Sequence, residues 1–143
     1  MRVVLDTNIL ISACWKPGGN ESQVIARAAA RGLPIAISPA LEQEYRDVAA
    51  RPKFARHRES LESAIGSLLA VAIRVEPVPA CDACSDPDDN QLLDCALAAG
   101  AAYVITGNLR HFPACWQGIE VINARAFLDK REAAQISRDS TTA

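Results

Sequence analysis

No long apolar stretch occurs in this sequence. Its longest hydrophobic runs, residues 3–13 and 68–73, fall well short of the roughly 20 residues that a helical bilayer span requires. The N-terminus has neither the basic start nor the cleavage region of a signal peptide, so the expectation is a cytoplasmic protein with no membrane role. A disulfide framework is missing too: the five cysteines are odd in number and unevenly spaced, which fits a reducing compartment. Cys81 and Cys84 form a single CxxC, with no second CxxC and no His-x-His to complete four close zinc ligands, so ordinary thiols are expected. Nor is there a large excess of positive charge. Fifteen Lys and Arg against 17 Asp and Glu give a net charge of −2, which excludes a strongly basic nucleic-acid binder but not a local patch. One such stretch contains Arg46, Arg51, Lys53, Arg56 and Arg58, with His57 among them; it reads as a solvated face or as a phosphate-contacting rim.

The chain of 143 residues, half of them hydrophobic, is long enough for one domain with a real core and too short for two ordinary ones. The expected domain spans residues 1–131, followed by a polar, frayed tail over 132–143. Extended segments are expected at 2–5, 34–37, 73–78, 102–105 and 119–122. Helices are expected at 9–13, 21–31, 40–51, 55–72, 88–99 and 123–131, with Gly32 and Gly100 as stops. Ser38-Pro39 and Asp86-Pro87 are helix starts, each with a capping side chain and a proline at the first helical position. Strands alternating with helices predict an α/β fold, a three-layer α/β/α sandwich with a mainly parallel central sheet.

Within that arrangement the acids stand out. The run Val3-Val4-Leu5 ends in Asp6-Thr7-Asn8, which places Asp6 at the carboxyl end of a buried parallel strand, where open α/β sheets gather ligands. The knot Asp86-Pro87-Asp88-Asp89-Asn90 has a structural explanation, since a cap and first-turn acids complement the helix dipole. Helical phase adds to it. Asp89 continues the stripe of Leu92, Leu93, Ala96 and Ala99, so its carboxylate is directed toward the sheet, whereas Asp94 lies about 140° around the helix. An inward carboxylate is costly without a partner, and a divalent ion shared with Asp6 would supply one. Glu44 falls at the margin of the stripe Leu41, Tyr45 and Val48, and Thr106-Gly107-Asn108 follows another strand as a further edge of the cleft.

Taken together, Val4-Leu5-Asp6-Thr7-Asn8, Ser38-Pro39 with Glu44, Asp86-Pro87-Asp88-Asp89-Asn90, Cys95-Ala96-Leu97-Ala98 and Thr106-Gly107-Asn108-Leu109-Arg110-His111-Phe112 resemble the PIN-domain family. The likeness is to its bacterial VapC-like ribonucleases, the toxin components of toxin–antitoxin systems, and it runs from about residue 2 to 129. It implies cleavage of single-stranded RNA with Mg²⁺ or Mn²⁺, with Asp6, Glu44 and Asp89 as catalytic and metal-holding acids. By the same resemblance Asn8, Asp86, Thr106 and Asn108 support them, Thr106 and Asn108 by orienting a water. Arg51, Lys53, Arg110 and His111 are candidate RNA contacts, and a small cognate antitoxin and a homodimer are the implied partners. Asn108 stands where many such nucleases have a fourth aspartate, which keeps open a catalytically weak fold acting as an RNA- or protein-binding module. Two other families with a strand ending in aspartate fit less well. A haloacid-dehalogenase-type phosphatase expects a second aspartate where this chain has Asn8, and a response-regulator receiver expects a middle-strand aspartate and a later lysine.

Overall fold

The computed structural model describes residues 1–141, with side chains as far as residue 137. In chain order the elements are β1 (Val3–Leu5), α1 (Thr7–Trp15), α2 (Asn20–Ala29), β2 (Ala36–Ile37), α3 (Pro39–Ala49), α4 (Arg58–Val71), β3 (Ile73–Arg74), α5 (Pro87–Ala99), β4 (Tyr103–Ile105), β5 (Cys115–Trp116), β6 (Ile119–Ile122) and α6 (Ala124–Thr141). Short 3-10 turns occupy Pro52–His57 and Leu109–His111.

Four strands run in the order β1-β4-β6-β5, and β2 pairs in parallel with β3. A parallel bridge from Val3 to Ile35, with the Val3 amide donating to the Pro34 carbonyl at 3.0 Å, sets the two pieces edge to edge. Chain order moves outward from β1 through β2 to β3 and then returns to β4 on β1's other side. That reversal opens a crevice at the carboxyl ends of β1 and β4. All three residues of β1 are buried, as expected of a parallel strand covered on both faces. Helix α5 packs on β1, β2, β4 and β6 and meets α3, whereas α2 packs against α1, α4 and α6. The structure is therefore the expected mainly parallel sheet flanked by helices. Among the described residues no helix is long and apolar enough to cross a membrane.

Local chemistry explains most boundaries. The Ser38 side chain accepts from the Leu41 amide at 3.2 Å and Asp86 Oδ1 accepts from the Asp88 amide at 2.9 Å, each before a proline at a first-turn position. Four expectations are corrected. Helix α2 ends at Ala29, and Arg31, not Gly32, takes the left-handed conformation (φ +65°), with the Gly32 amide reaching back to the Arg27 carbonyl at 2.8 Å. The segment expected as one helix over 55–72 is a 3-10 turn followed by α4, because Pro52 opens a new turn. Strand β5 was not expected; it forms an antiparallel hairpin with β6 across Gln117 and Gly118, both at positive φ. Helix α6 continues through the segment read as a polar tail as far as Thr141, and residues 142–143 lie outside the described ones.

Gly100 ends α5 at φ +62°, and a Cβ there would meet nothing within 4 Å. Gly100→Ala should therefore cost about 1 kcal/mol through backbone conformation alone. A lower urea midpoint with an unchanged slope is the expected result; an unaltered midpoint would show that the left-handed cap carries no strain for alanine.

Candidate active site

Parallel pairing of β1 with β4 sets Leu5 opposite Ile105, so the next residues of the two strands, Asp6 and Thr106, come side by side. Both are buried, Asp6 at 7% exposure and Thr106 fully. The Thr106 hydroxyl donates to Asp6 Oδ2 at 2.7 Å, and the Asn8 amide donates to the same oxygen at 3.2 Å. Asn8 Oδ1 in turn accepts from the Gly107 amide at 3.0 Å, tying the turn after β4 to the start of α1. Asn8 and Thr106 thus hold Asp6. One expectation changes here. The Thr106 oxygen also accepts from the Asn108 amide at 3.0 Å and from Asn8 Nδ2 at 3.3 Å, so its one hydrogen and both lone pairs are used. Its job is to orient Asp6, and none of its bonding capacity is left for a water.

Glu44 reaches the cleft from α3. Its neighbour Tyr45 is buried and donates its hydroxyl to the Leu5 carbonyl at 2.5 Å, which fixes α3 against the end of β1 one residue before Asp6. Asp89 comes from the first turn of α5. The three acids, far apart in sequence, feel one another electrostatically. Burial pushes the Glu44 carboxyl up to about 7, and the charges of Asp6, Asp88 and Asp89 add to the rise. Asp89 is pushed up to about 6 by burial, with Asp6 and Asp86 adding to it and His111 opposing. Asp6 is also raised by burial, against the hydrogen bond from Thr106 that favours its charged form.

Two neighbours escaped the sequence reading. Asp88, read only as complementing the helix dipole, bears on both Glu44 and Asp89. Thr7 is 6% exposed; its hydroxyl lies near enough to Glu44 to favour the charged carboxylate, yet makes no hydrogen bond of good geometry. Neither had a sequence signal beyond adjacency to Asp6 and Asp89.

The remaining candidates divide. Asp86 caps α5 and lines a cavity of about 450 Å³ with Asp89, Arg110, His111 and Phe112. His111 Nδ1 lies 3.7 Å from Asp89 Oδ2 at the cleft's rim. Asn108 is exposed in the turn after Thr106. Arg51 and Lys53 stand beyond the end of α3, outside that cavity. Asp94 is buried and turned to the loop before α5, accepting from the Ala80 and Cys81 amides at 3.1 and 2.9 Å. The Cys81 thiol contacts Asn90 Oδ1 at 3.3 Å, and burial pushes the Cys84 thiol up to about 11, so neither is a ready thiolate.

The donor chemistry suits a hard divalent cation: clustered carboxylates that repel one another, and a buried hydroxyl oxygen without a partner. Among the described residues, however, no three Asp, Glu, His or Cys side chains are placed to hold an ion together as they stand. Glu44 and Asp89 lie near enough to feel the charge of Asp6, without the three being in ligating register.

Their repulsion has a testable consequence. Glu44 titrates near 7 in the fold and near 4.5 in the unfolded chain, so the fold binds the extra proton between those values. In metal-free buffer its contribution is complete below about pH 4.5 and is lost as pH rises through 7. Glu44→Gln should therefore flatten the decline in urea midpoint from pH 5 to pH 8; an equally steep decline would remove Glu44 as its source.

Comparison with known proteins bears on the fold and the family. No curated protein matches the chain. Among solved structures it is similar to VapBC2 from Rickettsia felis, bound to a DNA fragment from their promoter, at 18% identity and a TM-score of 0.56, covering 86% of this chain and 98% of that one. It is also similar to DNA-bound VapBC from Salmonella typhimurium, at 19% identity and a TM-score of 0.60, covering 87% and 98%. At such identities the likeness is one of fold. The profile of the PIN domain matches residues 2–110, spanning Asp6, Glu44, Asp89 and Thr106 alike, and the chain belongs to the PIN-domain family.

Proposed function

We propose that the protein is a divalent-metal-dependent endoribonuclease that hydrolyses single-stranded RNA, with Mg²⁺ or Mn²⁺ as cofactor, and that it is the toxin of a toxin–antitoxin pair. One observation carries the reading. Asp6, Glu44 and Asp89 come from three distant stretches of chain, burial raises all three carboxyls, the charge of Asp6 adds to the rise at Glu44 and Asp89, and no lysine or arginine is ion-paired to them among the described residues. Buried acids drawn together without a lysine or arginine partner mark a candidate functional site.

Asp6 and Asp89 would hold the ion directly, with Glu44 as a further ligand, directly or through water. A bound divalent ion lowers the pKa of an attacking water and offsets charge building on the phosphate. The chain's own residues do the rest. Thr106 and Asn8 lock the Asp6 carboxylate in one orientation, so no free energy is spent ordering it during reaction. Arg110 and His111, on the wall of the cavity that contains Asp89, offer positive charge and hydrogen-bond donors to the RNA phosphates.

The solved neighbours that share the fold are VapBC assemblies, which supports a small antitoxin as partner; a homodimer is proposed on the family resemblance alone. Asn108 favours a second reading. With an amide where many relatives have an acid, the site has one negative charge fewer, which fits a fold that docks RNA or protein without cutting it.

The two separate in a cleavage assay on unstructured RNA. Expected are cleavage with Mg²⁺ or Mn²⁺, its loss on chelation, and a drop of about 10²–10³-fold in Asp6→Asn, the order lost when one electrostatic partner is removed. Mn²⁺ should also raise the melting temperature of the parent and not of Asp6→Asn. RNA bound but left intact would sink the nuclease reading in favour of the binding module. Growth arrest on overexpression, relieved by a small protein encoded alongside, is the expected toxin phenotype; unimpaired growth would remove that label alone.

A further inference from the structure

Away from the acids, the end of α1 meets the turn after α3 in an arrangement that the cleft does not use. Trp15 is 59% exposed, although it packs on the buried Phe54 with ring centroids 5.9 Å apart and meets the edge of His57 at 6.3 Å. Phe54 and His57 contact the indole while more than half of the residue stays open to solvent. The segment that supplies Phe54 and His57 is rich in positive charge. Residues 46–58 hold five Lys and Arg against the single acid Asp47, in a chain where acids outnumber bases overall. Arg58 is committed to the fold, donating to the Ala49 and Ala50 carbonyls at 3.5 and 2.7 Å, where it closes the end of α3. Lys53 lies 5.0 Å over the Phe54 ring. Lys16, Arg51, Lys53 and Arg56 have no ion pair to a carboxylate among the described residues.

We propose that Trp15, packed on Phe54, forms together with Lys16, Arg51, Lys53 and Arg56 of the adjoining segments a stacking platform for an unpaired stretch of the RNA strand whose scissile bond lies in the acidic cleft. The proposal rests on the ribonuclease reading for the identity of the strand. An exposed indole offers a base a flat apolar face, and stacking accepts every base because each has a π-face. Unpaired lysines and arginines supply the complementary charge for phosphates. A partner held by apolar contact would need a continuous apolar patch, which a single exposed indole beside a cation-rich segment does not offer. Position supports the assignment as well. Helix α1 begins beside Asp6 and reaches Trp15 nine residues later, while α3 carries Glu44 and ends at Ala49, two residues before Arg51. At 1.5 Å per residue Trp15 therefore lies about 14 Å from Asp6 along α1, within reach of a strand already seated in the cleft.

Binding of a short fluorescein-labelled oligouridylate to the full chain in chelator tests the proposal with cleavage switched off. Trp15→Ala should weaken binding about tenfold, Trp15→Phe should retain most of the affinity, and the oligonucleotide should quench the fluorescence of Trp15 in a Trp116→Phe background. Lys53→Ala with Arg56→Ala should flatten the salt dependence of log K by about 0.7 for each phosphate that no longer meets a cation. With metal restored, Trp15→Ala should raise KM on the same oligonucleotide and leave kcat unchanged. Parent-like binding and KM in Trp15→Ala, with cleavage intact, would overturn the platform and spare the nuclease reading. Trp15-dependent binding without cleavage would do the reverse. Loss of a bound protein partner in Trp15→Ala, with oligonucleotide binding unmoved, would overturn the platform in favour of a protein-docking face.

Discussion

The short hydrogen bond from the Thr106 hydroxyl to the Asp6 carboxylate is the constraint around which this molecule is arranged. It exists because two parallel strands end at the same level, Leu5 opposite Ile105, and each is followed by a polar residue. Burial would otherwise leave Asp6 either neutral or strained; two donors on one oxygen make the charged form tolerable and leave the other oxygen free of them. The Asn8 bond to the Gly107 backbone then couples the turn after β4 to the start of α1, so both rims of the crevice share one frame.

Around that fixed carboxylate the fold accumulates repulsion. Tyr45 brings Glu44 up to the end of β1, and α5 delivers Asp89 with Asp86 and Asp88 in its company. Glu44 near 7 and Asp89 near 6 reflect burial first, with the charges of neighbouring acids adding to it. Domains of this size have little stability to spare, and a cluster of this kind is retained where chemistry needs it.

Much of this was legible in the sequence because periodicity and end signals act locally. A three-residue apolar run followed by an aspartate, serine and aspartate caps before prolines, and the phase of Asp89 on its helix each report on a few neighbouring residues. What escaped depends on distant partners. Thr106 was read as a residue that orients water, but its bonding capacity is consumed by Asp6, Asn8 and the Asn108 backbone, none of which spacing reveals. Strand β5 is only two residues long, and its turn uses a glutamine at positive φ where asparagine or aspartate is the usual signal. Arg31 took the left-handed position that Gly32 was expected to fill, because the reach of the Gly32 amide back to Arg27 fixed the register of the helix end. The acids' common destination was inferred from the family likeness and helical phase; their spacing, short of ligating register, belongs to the packing of α3 and α5 on the sheet.

The loop before α5 has a mechanical consequence. Asp94 grips the Ala80 and Cys81 amides, and Asn90 both accepts from the Cys84 amide and donates to its carbonyl, so residues 80–84 are bolted to the helix that carries Asp89. Ala83 and Ser85 form part of the cavity's wall. Wall and charge therefore travel as one rigid piece, and any substitution that rolls α5 against the sheet, however remote, resets the width of the cleft and the height of its acid in a single stroke.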